Sequence, residues 1–215
     1  MIEIEQLDGI AIVRMCYGSA NAMDVTFCSE MASQLEQLNQ SDCRAVILTG
    51  QGKIFSAGVD LPQLLDGGTE YIQRFLPALS QMLEAAFFCS KPLISAVNGH
   101  AIAGGCLLAC AADRRLMAAG KGRVGVPELH VGVPFPIAAM ESMRNRLSPQ
   151  YFEEVTLGGA TYTTEQALER GLIDQIIDAE QLMDEAIKAA GALASIRPEI
   201  FAFSKQQARQ PARQA

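Results

Sequence analysis

Two stretches, Ile54-Phe55-Ser56-Ala57-Gly58-Val59-Asp60-Leu61 and Asn98-Gly99-His100-Ala101-Ile102-Ala103-Gly104-Gly105-Cys106, share one theme. Each follows a short apolar run of strand character, Ala45–Thr49 before the first and Pro92–Val97 before the second, and each passes through glycine into a helical pattern. Glycine permits backbone turns closed to other residues and lets a ligand approach the chain, while the start of a helix leaves N–H groups unpaired. Two such ends, if they converge, hold a carbonyl oxygen that gains negative charge during reaction, and losing one donor of this kind costs about 10²- to 10³-fold in rate. Taken singly, either glycine is explained more simply by steric relief at a strand-to-helix turn.

Outward from these loops, strand and helix patterns alternate. Ile2–Gln6 and Ile10–Tyr17 read as strands broken at Asp8-Gly9, a pair favoured in tight hairpins. Phe27, Met31, Leu35 and Leu38 recur at helical spacing within Asp24–Asn39. Tyr71–Cys89 is helical by pattern, Leu64–Phe75 has no clear signature, and Ala101–Ala112 reads as a nearly charge-free helix. Arg115–Ala118 and Ile173–Ile177 continue as strands, and Thr163 with Gln166 makes a capping box for a helix at Thr164–Arg170 that Gly171 ends. A last helix spans Glu180–Ser195. The order implies an α/β domain with crossover helices, over residues 1–196. Residues 197–215 form a helical tail that resumes after Pro198 without a closing cap, either cut mid-element or unanchored without a partner. No internal repeat is visible.

Composition narrows the function classes. Among 215 residues the 17 Lys and Arg are scattered and the net charge is -7, which argues against a nucleic-acid partner. No apolar run is long enough for a membrane span and no leader opens the chain, so the expectation is an untargeted cytoplasmic protein that does not engage a membrane. The six cysteines lack CxxC spacing and sit among apolar residues, as buried thiols do. His100 and His130 have no partner at metal-ligand spacing, so no metal is expected.

Taken together, Phe55-Ser56-Ala57-Gly58-Val59-Asp60-Leu61, then the run from Asn98 to Ala118, then Val124-Gly125-Val126-Pro127-Glu128 through Pro136, resemble the crotonase superfamily, the enoyl-CoA hydratase/isomerase family. The resemblance implies a ββα spiral with two perpendicular sheets and peripheral helices, assembled as a homotrimer or dimer of trimers around an acyl-CoA thioester. It requires no cofactor, CoA being part of the substrate. Matched motif to motif, the N–H groups of Val59 and Gly104 supply the oxyanion donors and Glu128 is the catalytic carboxylate. Ala57, Asp60 and Leu61 lie along the CoA, Ala22 and Met23 belong to the turn flanking its channel, and Leu107 and Phe135 fall on the substrate-binding side. The basic residue that often precedes that turn in relatives is replaced here by Tyr17-Gly18-Ser19-Ala20.

Two departures bear on the reaction. Hydratases of this family carry two glutamates, and the first position here is Leu107, so water cannot be held between two carboxylates. The loop Gly132-Val133-Pro134-Phe135-Pro136 also offers proline where a water-holding N–H is needed. A double-bond shift requires only one carboxylate that reaches both carbons, which favours an isomerase. The other readings are hydration or thioester hydrolysis on the same fold, and a non-catalytic acyl-CoA-binding subunit. An apolar pocket would raise the pKa of Glu128. Asp60 reads as a helix cap, Asp113 as structural, His100 as a hydrogen-bonded structural residue, and His130 as a support for Glu128 if strand alternation puts both on one face. Cys106, Cys110, Met140 and Met143 read as packing.

Overall fold

A computed structural model of the chain describes residues 1–214; Ala215, the last residue of the expected tail, lies outside the described residues. The strands are β1 (Ile2–Leu7), β2 (Ile10–Met15), β3 (Ala22–Met23), β4 (Ala45–Thr49), β5 (Ile54–Ser56), β6 (Gly58–Val59), β7 (Leu93–Val97), β8 (His100–Ile102), β9 (Arg114–Ala118), β10 (Val124–Gly125), β11 (Thr161–Tyr162) and β12 (Gln175–Ile177). The helices are α1 (Val25–Gln40), α2 (Leu61–Phe87), α3 (Gly104–Ala111), α4 (Ile137–Arg144), α5 (Phe152–Gly158), α6 (Thr164–Arg170), α7 (Leu182–Ala194) and α8 (Pro198–Gln214). None of them is long and apolar enough to cross a membrane.

A six-stranded sheet runs β1-β2-β4-β7-β9-β12, a four-stranded sheet runs β11-β10-β8-β5, and β3 pairs with β6. The chain climbs in turns: β4 then β5, β7 then β8, β9 then β10, each time placing one strand in the large sheet and the next in the small one. The turn repeats in space although the sequence shows no repeat, because what recurs is apolar run, glycine and helix start, not residue identity. The β1–β2 hairpin closes through Asp8 (φ 49°) and Gly9 (φ 79°), the positive angles that the Asp-Gly pair supplies in a tight turn.

The central strands β4 and β7 of the large sheet are covered on both faces, which explains their nearly unbroken apolar runs. Val46, Leu48, Leu93 and Val97 face the main core with α1, α2 and α3, while Ile47, Ile94, Ala96 and Leu116 face Leu182, Ala186 and Ala190 of α7. Two segments depart from their sequence pattern. Ala101 and Ile102, expected to open a helix, belong to β8, because pairing with β5 on one side and β10 on the other outweighs local propensity. The helix expected from Tyr71 begins ten residues earlier at Leu61, where Asp60 caps it; Gly68 (φ 57°, ψ -153°) kinks it and hides its period.

The tail is tied to the core within the same chain. Lys205 Nζ donates to Asp113 Oδ2 at 2.6 Å and to Lys91 O at 2.9 Å, and Arg209 Nη2 donates to Asp113 Oδ1 at 2.5 Å. Arg209 also donates to Phe87 O, and its guanidinium lies 4.3 Å from the centre of the Phe87 ring. Lys205 is 8% and Arg209 3% exposed, so α8 is fastened to the core by contacts within this chain. Cap signals could not show this, since the anchor is long-range. Removing one partner of a buried ionic cluster leaves uncompensated charge, so Asp113→Ala is expected to lower stability by about 3–5 kcal/mol in urea unfolding, and Lys205→Met by clearly less.

Candidate active site

The site is built by register. In the small sheet Ser56 pairs with Ala101, and Ala101 pairs with Val124, so β5, β8 and β10 run parallel and level. Val59 and Gly104 each lie three residues past that row and Glu128 four past it. Strands about 4.8 Å apart thus deliver all three segments to one end of the sheet. The two glycine loops touch: a Cβ placed on Gly58 would stand 2.5 Å from Ala103 Cβ and 2.9 Å from Gly104 N.

Neither N–H group of interest is consumed by its own element. Met23 registers opposite Val59 and accepts the N–H of Asp60 at 2.9 Å. In a parallel ladder that bonding makes Met23 the pairing residue, so the N–H of Val59 faces away from β3. Gly104 opens α3, whose first helical bond is Leu107 N to Ala103 O at 3.1 Å, leaving the Gly104 N–H without an intrahelical acceptor. Ala103 adopts φ 52° and ψ -128°, a conformation ordinarily left to glycine, and this angle orients the peptide that carries the Gly104 N–H. The bond from Ala103 N to Gly125 O, 2.8 Å, holds it there. The residue pattern Ala-Gly-Gly hides this strain, because an alanine just before glycine reads as an ordinary helix start.

Glu128 opens a short 3-10 turn, Glu128–Val131, whose carbonyl end is fixed by Val133 N donating to Glu128 O at 3.0 Å. The side chain is buried, at 4% exposure, and neither carboxylate oxygen has a hydrogen-bond partner among the described residues. Burial pushes its pKa up to about 7. Asp24, also buried, shows the opposite treatment: it accepts Phe27 N at 2.7 Å and the Tyr17 hydroxyl at 2.6 Å. Cys106 of α3 feels the Glu128 charge, and Leu107 beside it is 1% exposed.

The remaining expected residues fall around this junction to different degrees. Ala57 is exposed, and Ala22, Asp60, Leu61 and Phe135 are half-buried. Met23 is fully buried, with its sulfur 2.7 Å from where a Cβ on Gly104 would stand, so it underlies the second loop. Asp60 Oδ1 accepts Gln63 N at 3.1 Å, the cap read from sequence. His130 does not support Glu128: Nε2 lies 3.2 Å from Gly158 O, and Leu129 is 40% exposed, because this stretch is a 3-10 turn without strand alternation. The His100 ring makes no side-chain hydrogen bond among the described residues, and it starts β8 at the end remote from Gly104. A cavity of about 440 Å³ lined by Arg44, Lys91 and Phe201 lies at the foot of α8 and shares no lining residue with the site.

A spiral of β-strand pairs with two glycine loops meeting beside a buried carboxylate defines a crotonase-fold protein. The model of the enoyl-CoA hydratase/isomerase family matches residues 5–215, and the chain belongs to that family, within the crotonase superfamily. The mitochondrial enoyl-CoA delta isomerase 1 of Rattus norvegicus is 30% identical over 189 residues, 86% of this chain and 65% of the relative. The short-chain-enoyl-CoA hydratase of Clostridium acetobutylicum is 28% identical over 206 residues, 94% of this chain and 78% of the relative. Among solved structures, human mitochondrial delta3-delta2-enoyl-CoA isomerase superposes with a TM-score of 0.93 at 25% identity, covering 98% of this chain and 84% of that one. A probable enoyl-CoA hydratase from Mycobacterium tuberculosis gives a TM-score of 0.91 at 28% identity, covering 98% and 89%. The chain thus spans just under two thirds of the rat isomerase, 65%.

Two outcomes follow from the geometry. The folded-state pKa of Glu128 lies above the unfolded one, so below about pH 4 both states are protonated and the residue has no effect. As pH rises to about 7 only the unfolded chain ionises, and stability falls by about 3 kcal/mol. Glu128→Gln escapes this loss, so its stability relative to the wild type is expected to grow by about 3 kcal/mol between pH 4 and pH 8 in denaturant titrations. Gly58→Ala adds a Cβ at φ 82°, 2.5 Å from Ala103 Cβ and Ile102 O, and is expected to cost about 3 kcal/mol by the same measurement.

Proposed function

We propose that this chain is an acyl-CoA-processing enzyme that moves the double bond of a 3-enoyl-CoA into conjugation, using Glu128 as the sole proton carrier. The N–H groups of Val59 and Gly104 donate to the thioester oxygen. The Glu128 carboxylate takes a proton from C2, and the electron pair spreads into a dienolate whose oxygen charge the two donors stabilise. The same carboxyl, now protonated, returns the proton at C4, and the double bond ends between C2 and C3. Atoms and charge balance with no redox group or metal, and CoA enters as part of the substrate.

The observation that carries this reading is the isolation of Glu128: it is buried, unpartnered and raised to about pKa 7, a carboxylate poised to accept and return a proton near neutrality. Leu107, buried and holding the position where the family's hydratases carry their first glutamate, supports isomerisation over hydration, since a second carboxylate would be needed there to hold water. The assembly we infer is a homotrimer or dimer of trimers. Leu129 and Val131, 40% and 49% exposed, flank the carboxylate and offer apolar surface for a second copy to cover.

The test is a spectrophotometric assay for the conjugated 2-enoyl thioester on a panel of 3-enoyl-CoA substrates, with products identified by mass. Turnover is expected to follow the ionised form of Glu128, rising through an acid limb with a midpoint near pH 7. Glu128→Ala is expected to lose about 10²- to 10⁴-fold in kcat. A 3-hydroxyacyl-CoA or a free acid as the main product would replace isomerisation by hydration or hydrolysis; CoA binding without turnover on any substrate would leave a binding subunit.

A further inference from the structure

Ser56 is fully buried, and its hydroxyl makes two bonds at the base of the first glycine loop. Oγ accepts the N–H of Gly58 at 3.0 Å and donates to Asn21 O at 2.7 Å. The first bond closes a serine turn that fixes the peptide entering Gly58. With that peptide held, the φ of 82° at Gly58 carries the chain into the next peptide, whose N–H is that of Val59. The second bond joins this turn to one that is itself locked. Asn21, at φ 48°, accepts Tyr17 N at 2.7 Å through Oδ1 and donates Nδ2 to Phe55 O at 3.0 Å. On its other side Ser56 bears on the second loop: a Cβ on Gly105 would stand 2.5 Å from Ser56 O and 2.8 Å from Ser56 Cβ. One residue therefore meets the turn before β3, the loop that carries Val59 and the helix start that carries Gly104.

We propose that Ser56 is a positioning residue for the oxyanion donor at Val59: its hydroxyl sets the aim of that N–H without touching substrate. Alanine at this position would leave the Gly58 N–H and Asn21 O without their partner and free the peptide to rotate. The proposal rests on the oxyanion hole described above, and its test separates the two. The probe is cinnamoyl-CoA, whose conjugated thioester absorbs at longer wavelength when its carbonyl oxygen is polarised by hydrogen-bond donors. The wild type is expected to bind it with a red shift. In Ser56→Ala the shift is expected to shrink and kcat to fall about 10- to 100-fold, with KM held within about threefold, because an interaction made chiefly in the transition state is weakened.

The acid-limb midpoint set by Glu128 should stay in place. A serine that only stabilised the fold would lower the melting temperature and leave shift and kcat untouched, and that result overturns the proposal. An absent shift in the wild type would instead sink the oxyanion hole itself. Should Ser56→Ala fail to fold, Ser56→Cys carries the test: sulfur is the weaker acceptor, a partial loss of shift is expected, and an undiminished shift again refutes the role.

Discussion

The level pairing of Ser56 with Ala101 and of Ala101 with Val124 is the constraint on which the rest depends. The Ala101–Val124 pairing is regular and the Ser56–Ala101 pairing follows a register shift between Ile54 and Ser56, and together they place three sequence-distant segments at one end of a sheet. A slip of one residue in any strand would move its terminal group by about 3.3 Å and turn its side chains to the opposite face. The core enforces the register: Phe55, Ala101 and Val124 are all buried in the main cluster, so a slip would expose them. The geometry of the candidate site is in this sense a by-product of packing the small sheet.

That scaffold supports groups that are locally unfavourable. Ala103 holds a backbone conformation suited to glycine, Gly58 meets the second loop at distances that admit no side chain, and Glu128 is buried with no hydrogen-bond partner for its carboxylate among the described residues. The strained Ala103 and the unpartnered Glu128 each raise the energy of the folded state by an amount on the order of 1–3 kcal/mol, and the register of the small sheet brings their segments and that of Gly58 to one end. The proposed chemistry draws on this arrangement, since donors that were already satisfied or an acid already paired would have nothing left to offer a ligand.

Much of this was legible in the sequence. The hairpin at Asp8-Gly9, the strand Ala45–Thr49 and the capped helix Thr164–Arg170 all follow from local pattern, because their energetics are local. Two of the departures have their cause in long-range contact. Residues 101–102 look helical until β5 and β10 are beside them, and α8 depends on Asp113 almost a hundred residues away, whereas α2 is masked locally by its own Gly67-Gly68. At the site, residue types named the loops and the lone carboxylate. The expected Glu128–His130 alliance failed because period-two alternation was assumed where the chain makes a 3-10 turn. Ser56 escaped notice because its partners, Gly58 N and Asn21 O, are backbone atoms that no residue pattern displays.

Asp113 and Glu128 show how one fold assigns opposite roles to the same functional group. Asp113 accepts Leu93 N at 2.8 Å and meets Lys205 and Arg209 at 2.6 and 2.5 Å, so its charge is fully engaged in fastening α8 to the core. Glu128 is no more exposed, yet its carboxylate oxygens have no hydrogen-bond partner among the described residues. Burial alone therefore does not decide what a carboxylate does; the difference lies in which solvating groups replace water. Surrounded by cations, the acid has nothing to exchange and becomes a fastener. Left near Cys106 at the head of the 3-10 turn, it has its pKa raised toward neutrality by burial, and that is the property on which the proposed proton transfer draws.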